Sequence, residues 1–500
     1  MIISILISLY STRIILEALG AMDYGIYVVI GGVISMLGFL NTTMASSTQR
    51  FLSFNLGENN IVKVRKTFAN SVILHVILGV FLVLLFEILG FYLLSEKLNI
   101  ATDRLETAKN VFHFVVFSTF ITILAVPYDS MINAKENMLF LSITGILDSL
   151  LKLLVAFILF LPFEDKLLIF GLGMLLRSIL MRLVKQIYCF RKYKEECRVN
   201  YRKEFNFSNI KELYSFAGWN LLGVLAYMFR NQGVSIVLNL FFTTVVNAAY
   251  GVANQVNSQL RMFSSAMLQA MNPHMVKTEG RGDRNKLIKL SLITSKFSFY
   301  LFSIFALPLY LEMEFIIGLW LVKVPEFTIL FCKLMIILTI VQQYRTGITM
   351  ATHAIGNIKE YQLLNSPIQL LSLPIGYLIL KMGYPAYSIL VIVIIIEIIT
   401  LFINVFFFKK LTGHSKWRYS VDVIFKSLIC LLFSYALGFY FQNYLMQEVN
   451  GFVRFLTISL TTVLTFLSAI YLVSFNENEK LILHKFTKKM FSLIWKKNKN

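Results

Sequence analysis

Apolar runs of about twenty residues recur from one end of this 500-residue chain to the other, and they limit its fold more than any other feature. A helix of about 20 residues crosses a hydrocarbon core of roughly 30 Å, and backbone inside that core must satisfy its own hydrogen bonds. The runs lack the alternation of outer-membrane barrel strands, and proline is rare, with 8 in the chain. A helical membrane bundle is therefore the expected fold class: all-α, polytopic, with about 14 transmembrane helices. The composition agrees, with 57% hydrophobic and 15% charged residues. The expected spans are 1–19, 24–45, 68–94, 109–126, 138–161, 166–189, 213–241, 246–271, 289–311, 327–350, 362–381, 384–408, 419–443 and 451–475.

A net charge of +20 would point to nucleic acid in a soluble chain. Here the cations gather in a few connections and the tail, where anionic phospholipids are the simpler partner, and no nucleic-acid role is expected. The rich clusters all follow even-numbered spans: Arg50, Lys63, Arg65 and Lys66; the basic stretch at 190–212; Lys277, Arg281, Arg284 and Lys286; and Lys409, Lys410, Lys416 and Arg418. The positive-inside rule then places these loops and both termini in the cytoplasm. The opening residues carry no basic flank or small-residue cleavage site and read as a retained first helix. Cys189, Cys197, Cys332 and Cys430 have neither paired spacing nor nearby histidines, so they read as helix filler, and no metal or cofactor is expected.

An internal repeat organises the spans. Tyr24-Gly25 returns as Tyr250-Gly251, an offset of 226 residues; "NAKE" at 133–136 returns as "NIKE" at 357–360; and "LGENN" at 56–60 has a counterpart in "GRGDR" at 280–284. A six-span unit keeps its orientation on duplication, which gives two lobes related by a parallel repeat. The expected organisation is an N-lobe at 1–189, a basic cytoplasmic linker at 190–212, a C-lobe at 213–408, two extra helices at 409–475 and a basic tail at 476–500. The Asp23-Tyr24-Gly25 step reads as a tight turn between the first two helices, with Tyr250-Gly251 opening the second lobe the same way.

Two six-helix lobes with two further helices is the organisation of the multidrug/oligosaccharidyl-lipid/polysaccharide (MOP) exporter superfamily. Within it, "SLYSTRIILEALGAMDYGIYVVIGGVISMLGFLNTTMASSTQRFLSFNLG" at 8–57 resembles the amino-terminal signature of Wzx-type flippases for polysaccharide and O-antigen repeat units. The resemblance implies transport of undecaprenyl-diphosphate-linked oligosaccharides from the cytoplasmic to the outer leaflet of a bacterial inner membrane. It also implies surface-polysaccharide polymerase machinery as a partner, and a first-helix arginine facing a central cavity, here Arg13.

Charged residues in the middle of a span cost roughly 2.5–3.5 kcal/mol on insertion scales, so each asks for a reason. They are Arg13, Asp148, Lys152, Arg177, Arg230, Arg261, Arg345 and Glu397. In the eighth span Asn254, Ser258, Arg261 and Ser265 fall on one helical face, widened by Gln255 and Gln259. Amide and guanidinium groups suit sugar hydroxyls and phosphate oxygens, so Arg13, Arg230, Asn254, Gln255, Ser258, Arg261 and Arg345 are the candidate substrate-binding residues. The bland alternative is hydrogen bonding to neighbouring helices. Gln342, Thr346, Thr349 and His353 form a second stripe. Asp148 and Lys152, four residues apart, read first as a self-neutralising pair and second as a coupling site, and Asp129 reads as a local cap or pair. No phosphate-cradling G-x-x-x-x-G-K-[ST] loop is present, so direct ATP hydrolysis is not expected. The competing functions are a drug/cation antiporter of the same superfamily, which would want cavity carboxylates, and a lipid II flippase. A polymerase or glycosyltransferase would want a large outer loop, and the outer connections are short, so a non-enzyme is expected.

Overall fold

A computed structural model describes residues 2–35, 38–96, 102–205, 207–242, 244–321, 324–447, 449, 451–477 and 479–480. The protein is an all-helical polytopic membrane protein. Its α-helices are α1 (Ile2–Ser35), α2 (Gly38–Gly57), α3 (Ile61–Glu96), α4 (Leu105–Ala134), α5 (Met138–Ile158), α6 (Lys166–Lys192), α7 (Lys194–Cys197), α8 (Tyr201–Glu204), α9 (Phe207–Phe241) and α10 (Thr244–Gly280). They continue as α11 (Arg284–Leu311), α12 (Met313–Trp320), α13 (Thr328–Ile355), α14 (Ile358–Leu370), α15 (Ser372–Lys381), α16 (Ser388–Thr412), α17 (Lys416–Tyr419), α18 (Lys426–Tyr440) and α19 (Gly451–Ala469). Among the described residues, 11 helical segments are long and apolar enough to cross a membrane. Three of the expected spans are not among them. The first two, 1–19 and 24–45, fall partly outside the described residues, and the third, 246–271, lies in α10, a continuous 37-residue helix carrying many polar groups.

The chain divides into two compact units. Unit 1 takes 1–224, 272–283 and 353–359; unit 2 takes 225–271, 284–352 and 360–500. In unit 1 α4 is the central helix, packed against α1, α2, α3, α5 and α6. Val111, Val116, Ile123, Phe170 and Ile30 are buried there and supply much of the apolar contact. Asp165 caps α6 by accepting from the Leu167 and Leu168 amides, and Asn137 caps α5 through the Phe140 amide. In unit 2 α11 packs against α12, α18 and α19, while Leu238, Ala249, Phe302, Phe331 and Ile389 join α9, α10, α11, α13 and α16 in one core.

The break near the start of the chain lies at Gly20, three residues before the expected Asp23-Tyr24-Gly25 turn. Gly20 has φ 75° and ψ 169°, a region essentially closed to residues with a Cβ. Tyr24 and Gly25 are helical and follow the break, and Tyr250-Gly251 likewise lies inside α10. The expected turn role is therefore corrected in both copies, because backbone angles, not the presence of a glycine, decide where a helix ends. Asp23 instead holds Arg104, whose Nε donates to Asp23 Oδ1 at 3.0 Å. Gly20→Ala is expected to cost about 1–3 kcal/mol, read as a lower unfolding temperature of the detergent-solubilised protein. Gly25→Ala, at a position with open space around the added Cβ, should leave that temperature unchanged or raise it.

The turn after α2 and the turn after α10 match bond for bond. Asn59 (φ 54°) donates to Leu56 O and Asn60 to Asn55 O; Gly282 (φ 77°) donates to Glu279 O and Asp283 to Thr278 O. Each is a left-handed helix stop in which two orphan carbonyls are satisfied. The counterparts lie 223 positions apart, in the segments paired from sequence. In unit 1 these two helix ends also touch reciprocally. A Cβ on Gly57 would stand 2.3 Å from Lys277 O, and one on Gly280 would stand 2.2 Å from Phe54 O, so each glycine meets the partner of the other's equivalent. Lys277 Nζ reaches Glu136 Oε1 beside this crossing at 2.9 Å.

Candidate functional site

Glu397 is the only charged residue between Ser388 and Phe408 of α16, and it is fully buried. A carboxylate placed there without partners would cost several kcal/mol or lose its charge. Two helices of unit 2 supply cations. Arg230 of α9 donates from Nη1 to Glu397 Oε2 at 2.8 Å, and Arg345 of α13 brings Nη2 to 2.6 Å from Oε1. Gln342, one turn before Arg345, donates its amide to Oε2 at 3.3 Å. Two guanidinium groups thus share one carboxylate, and the cluster keeps a net positive charge.

The cluster extends to α10. The Arg230 guanidinium lies 5.4 Å from the ring centre of Tyr227, one turn earlier on α9, and the Tyr227 hydroxyl accepts from Arg261 Nη1 at 3.1 Å. Arg261, Tyr227, Arg230, Glu397 and Arg345 therefore form a continuous polar chain across α10, α9, α16 and α13. Arg230 is 2% exposed, with Nη1 held by Glu397, whereas Arg261 is only half-buried and sits at the open end of the cluster.

The polar face of α10 is not used up by packing. Gln255, Ser258, Gln259 and Ser265 are exposed and Asn254 is half-buried. Three of these residues bond to their own helix: Asn254 donates to Tyr250 O at 3.0 Å, Ser258 to Gln255 O at 2.8 Å and Ser265 to Met262 O at 2.9 Å. The other face carries the interhelical work. Ala249, Ala253, Leu260, Asn257 and Ser264 are buried, and Thr339 of α13 donates to Asn257 Oδ1 at 2.8 Å. Asn254, Gln255, Ser258 and Arg261 thus line one open polar strip, with the guanidinium of Arg261 as its charge.

The overall architecture matches solved membrane transporters. A MATE structure aligns with a TM-score of 0.70 at 12% identity, over 83% of this chain and 94% of that one. A Vibrio cholerae MATE transporter aligns at 0.67 with 17% identity, over 82% and 93% of the two chains. The fold is the MATE fold. A MOP-superfamily transporter from Pyrococcus furiosus, described as having a binding pocket of reversed polarity that suggests a different function, aligns at 0.67 with 13% identity, over 82% and 93%. No protein-family model matches the sequence, and no curated protein matches it.

Within this MATE fold the other candidates separate. The side chain of Arg13 lies outside the described residues. Asp148 does not rely on Lys152 alone: Arg177 of α6 reaches its Oδ2 at 3.3 Å, because a guanidinium on the neighbouring helix spans a gap within its own side-chain length. Asp129 was expected to cap or pair locally; it pairs instead with Lys185 of α6, 56 positions along the chain, at 2.8 Å. The second stripe is largely structural. Gln342 serves Glu397, Thr346 bonds to Gln342 O on its own helix, and Thr349 meets the Tyr361 hydroxyl at 2.7 Å.

Two participants had not been singled out from sequence. Tyr227 bridges the two arginines, and its only sequence signal is its place three residues before Arg230 on one helical face. Lys296, buried in α11, donates to Ser474 O at 2.9 Å and to Glu479 Oε2 at 2.8 Å, which ties the end of the last described helical segment to α11. It sits within a run of Ser and Phe that gives no hint of a carboxylate 183 positions away.

Proposed function

We propose that the protein is a flippase that moves undecaprenyl-diphosphate-linked oligosaccharides across the inner membrane by alternating access, for the export of a surface polysaccharide. The observation that carries this reading is the sign of the charge in the α10–α16 cluster. Two arginines outweigh Glu397, and Arg261 stands at the end of an open strip of amides and hydroxyls. A cationic, amide-lined strip suits a diphosphate bearing sugars. The Wzx-like residues at 8–57 and the Pyrococcus protein's reversed pocket polarity support the same direction. Non-enzymatic transport, cytoplasmic termini, and association with anionic phospholipids and polymerase machinery belong to this proposal.

The MATE likeness favours a second reading, drug/cation antiport. An antiporter needs a carboxylate free to exchange a cation or proton. In this cluster the carboxylate is Glu397, and both of its oxygens already face guanidinium groups. The lipid II flippase is a third candidate of the same cationic type.

Arg261→Ala tests the proposed role of the strip in a strain whose surface polysaccharide depends on this gene. Export is expected to fall at least tenfold at normal protein level, with Arg261→Lys retaining a minor fraction, because a point charge loses the bidentate contact. Full export by Arg261→Ala would remove the proposed role.

A further inference from the structure

A second cationic site lies in unit 1, away from the residues just described. It is a polar pocket of about 440 Å³, within the size range of small-ligand sites, and Arg50, Lys63, Lys66, Asn55, Thr67 and Glu212 are among its walls. Among the lining residues three cations face one carboxylate, Glu212, and Glu279 stands near enough to Arg50 to offset part of its charge, so the excess of positive charge rests on Lys63 and Lys66. Lys63 also meets Glu58 at 2.8 Å, but that pair is solvent-exposed and holds the lysine weakly.

Two features set this pocket apart from a merely basic surface. The first is pre-organisation. Arg50 donates from Nε to His353 O at 2.6 Å and from Nη2 to Ala354 O at 3.2 Å, with its guanidinium 4.9 Å from the Phe51 ring centre and 4.8 Å from that of Phe216. These contacts fix the guanidinium plane, and neither hydrogen bond uses Nη1. The second is charge placement. The opening turns of α3 hold Lys63, Arg65 and Lys66, and the first turn contains no acid. Helix N-termini carry partial positive charge and favour anions, so lysines there oppose the dipole. A locally unfavourable arrangement of this kind is relieved by an anion bound beside it.

We infer that this pocket binds a phosphate group, presented either by an anionic lipid headgroup or by a soluble phosphate. The headgroup arm rests on the association with anionic phospholipids proposed above and names its site; neither arm rests on the transport reading, because the residues differ and no cargo needs to move. The test uses the full chain in nanodiscs. In phosphatidylcholine discs, inorganic pyrophosphate is titrated calorimetrically; in discs containing phosphatidylglycerol, retained lipid is counted by native mass spectrometry. Lys66→Gln and the pair Lys63→Gln with Lys66→Gln are compared with the parent, and Lys66→Arg serves as the charge-preserving control. Pyrophosphate binding that weakens at least tenfold in the Gln variants, weakens with salt and returns in Lys66→Arg supports a soluble phosphate. Selective loss of retained phosphatidylglycerol in the Gln variants, again restored by Lys66→Arg, supports a headgroup. Absence of both ligands from the parent, or equal binding by the parent and the Gln variants, overturns the proposal.

Discussion

Glu397→Ala is expected to destabilise the protein by about 3–5 kcal/mol, since it leaves two guanidinium groups in a buried cluster without their shared counter-charge. The measurement is the unfolding temperature of the solubilised protein, followed by fluorescence-detected size-exclusion chromatography. The loss should exceed that of Arg261→Ala, which removes a half-buried side chain. Adding Arg230→Met to Glu397→Ala should recover part of the loss, because Arg230 is the more deeply buried of the two cations, at 2% against 15% for Arg345. If Glu397→Ala unfolds at the parent's temperature, the cluster is not a coupled electrostatic unit. If the double variant is worse than the single, Arg230 is held by something other than Glu397.

The second large effect is expected at the glycine crossing of unit 1. Gly280→Ala would place a methyl carbon 2.2 Å from the Phe54 carbonyl oxygen, and Gly57→Ala would place one 2.3 Å from Lys277 O. Both obstacles are backbone, so no flexible side chain can swing aside. Overpacking of this kind costs typically 1–3 kcal/mol, which the helix ends can escape only by parting. A separation of that cost shifts a two-state equilibrium by roughly 5–150-fold, so the effect should appear in conformation as well as stability. A Glu136→Cys/Lys277→Cys pair bridged by a short bis-maleimide reports it, since such a linker spans the gap that the two native side chains close end to end at 2.9 Å, and the four natural cysteines are buried. Cross-linking yield from this pair should drop severalfold when Gly280→Ala is added. An unchanged yield with an unchanged unfolding temperature would show that the crossing is slack.

Much of this was legible in the residues themselves. The helices follow from apolar runs whose length matches the membrane, and the open face of α10 follows from Asn254, Ser258 and Arg261 recurring at helical spacing. The segments 56–60 and 280–284, paired from a weak similarity, fold into the same left-handed stop. Each of these depends on residues within a few positions of one another, where backbone geometry allows few choices.

What the tertiary structure alone decided is which charge answers which. Glu397 selects Arg230, 167 positions earlier, and Asp148 is reached by Arg177 from the next helix, although Lys152 stands one turn away on its own. The helix break fell to Gly20 and not Gly25, two glycines with no local sequence mark to tell them apart. Helical periodicity repeats every 3.6 residues and can be read along a line. A buried ion pair has no such period: any arginine that packing brings within reach lowers the energy of a carboxylate, so the partner is known only once the helices are packed.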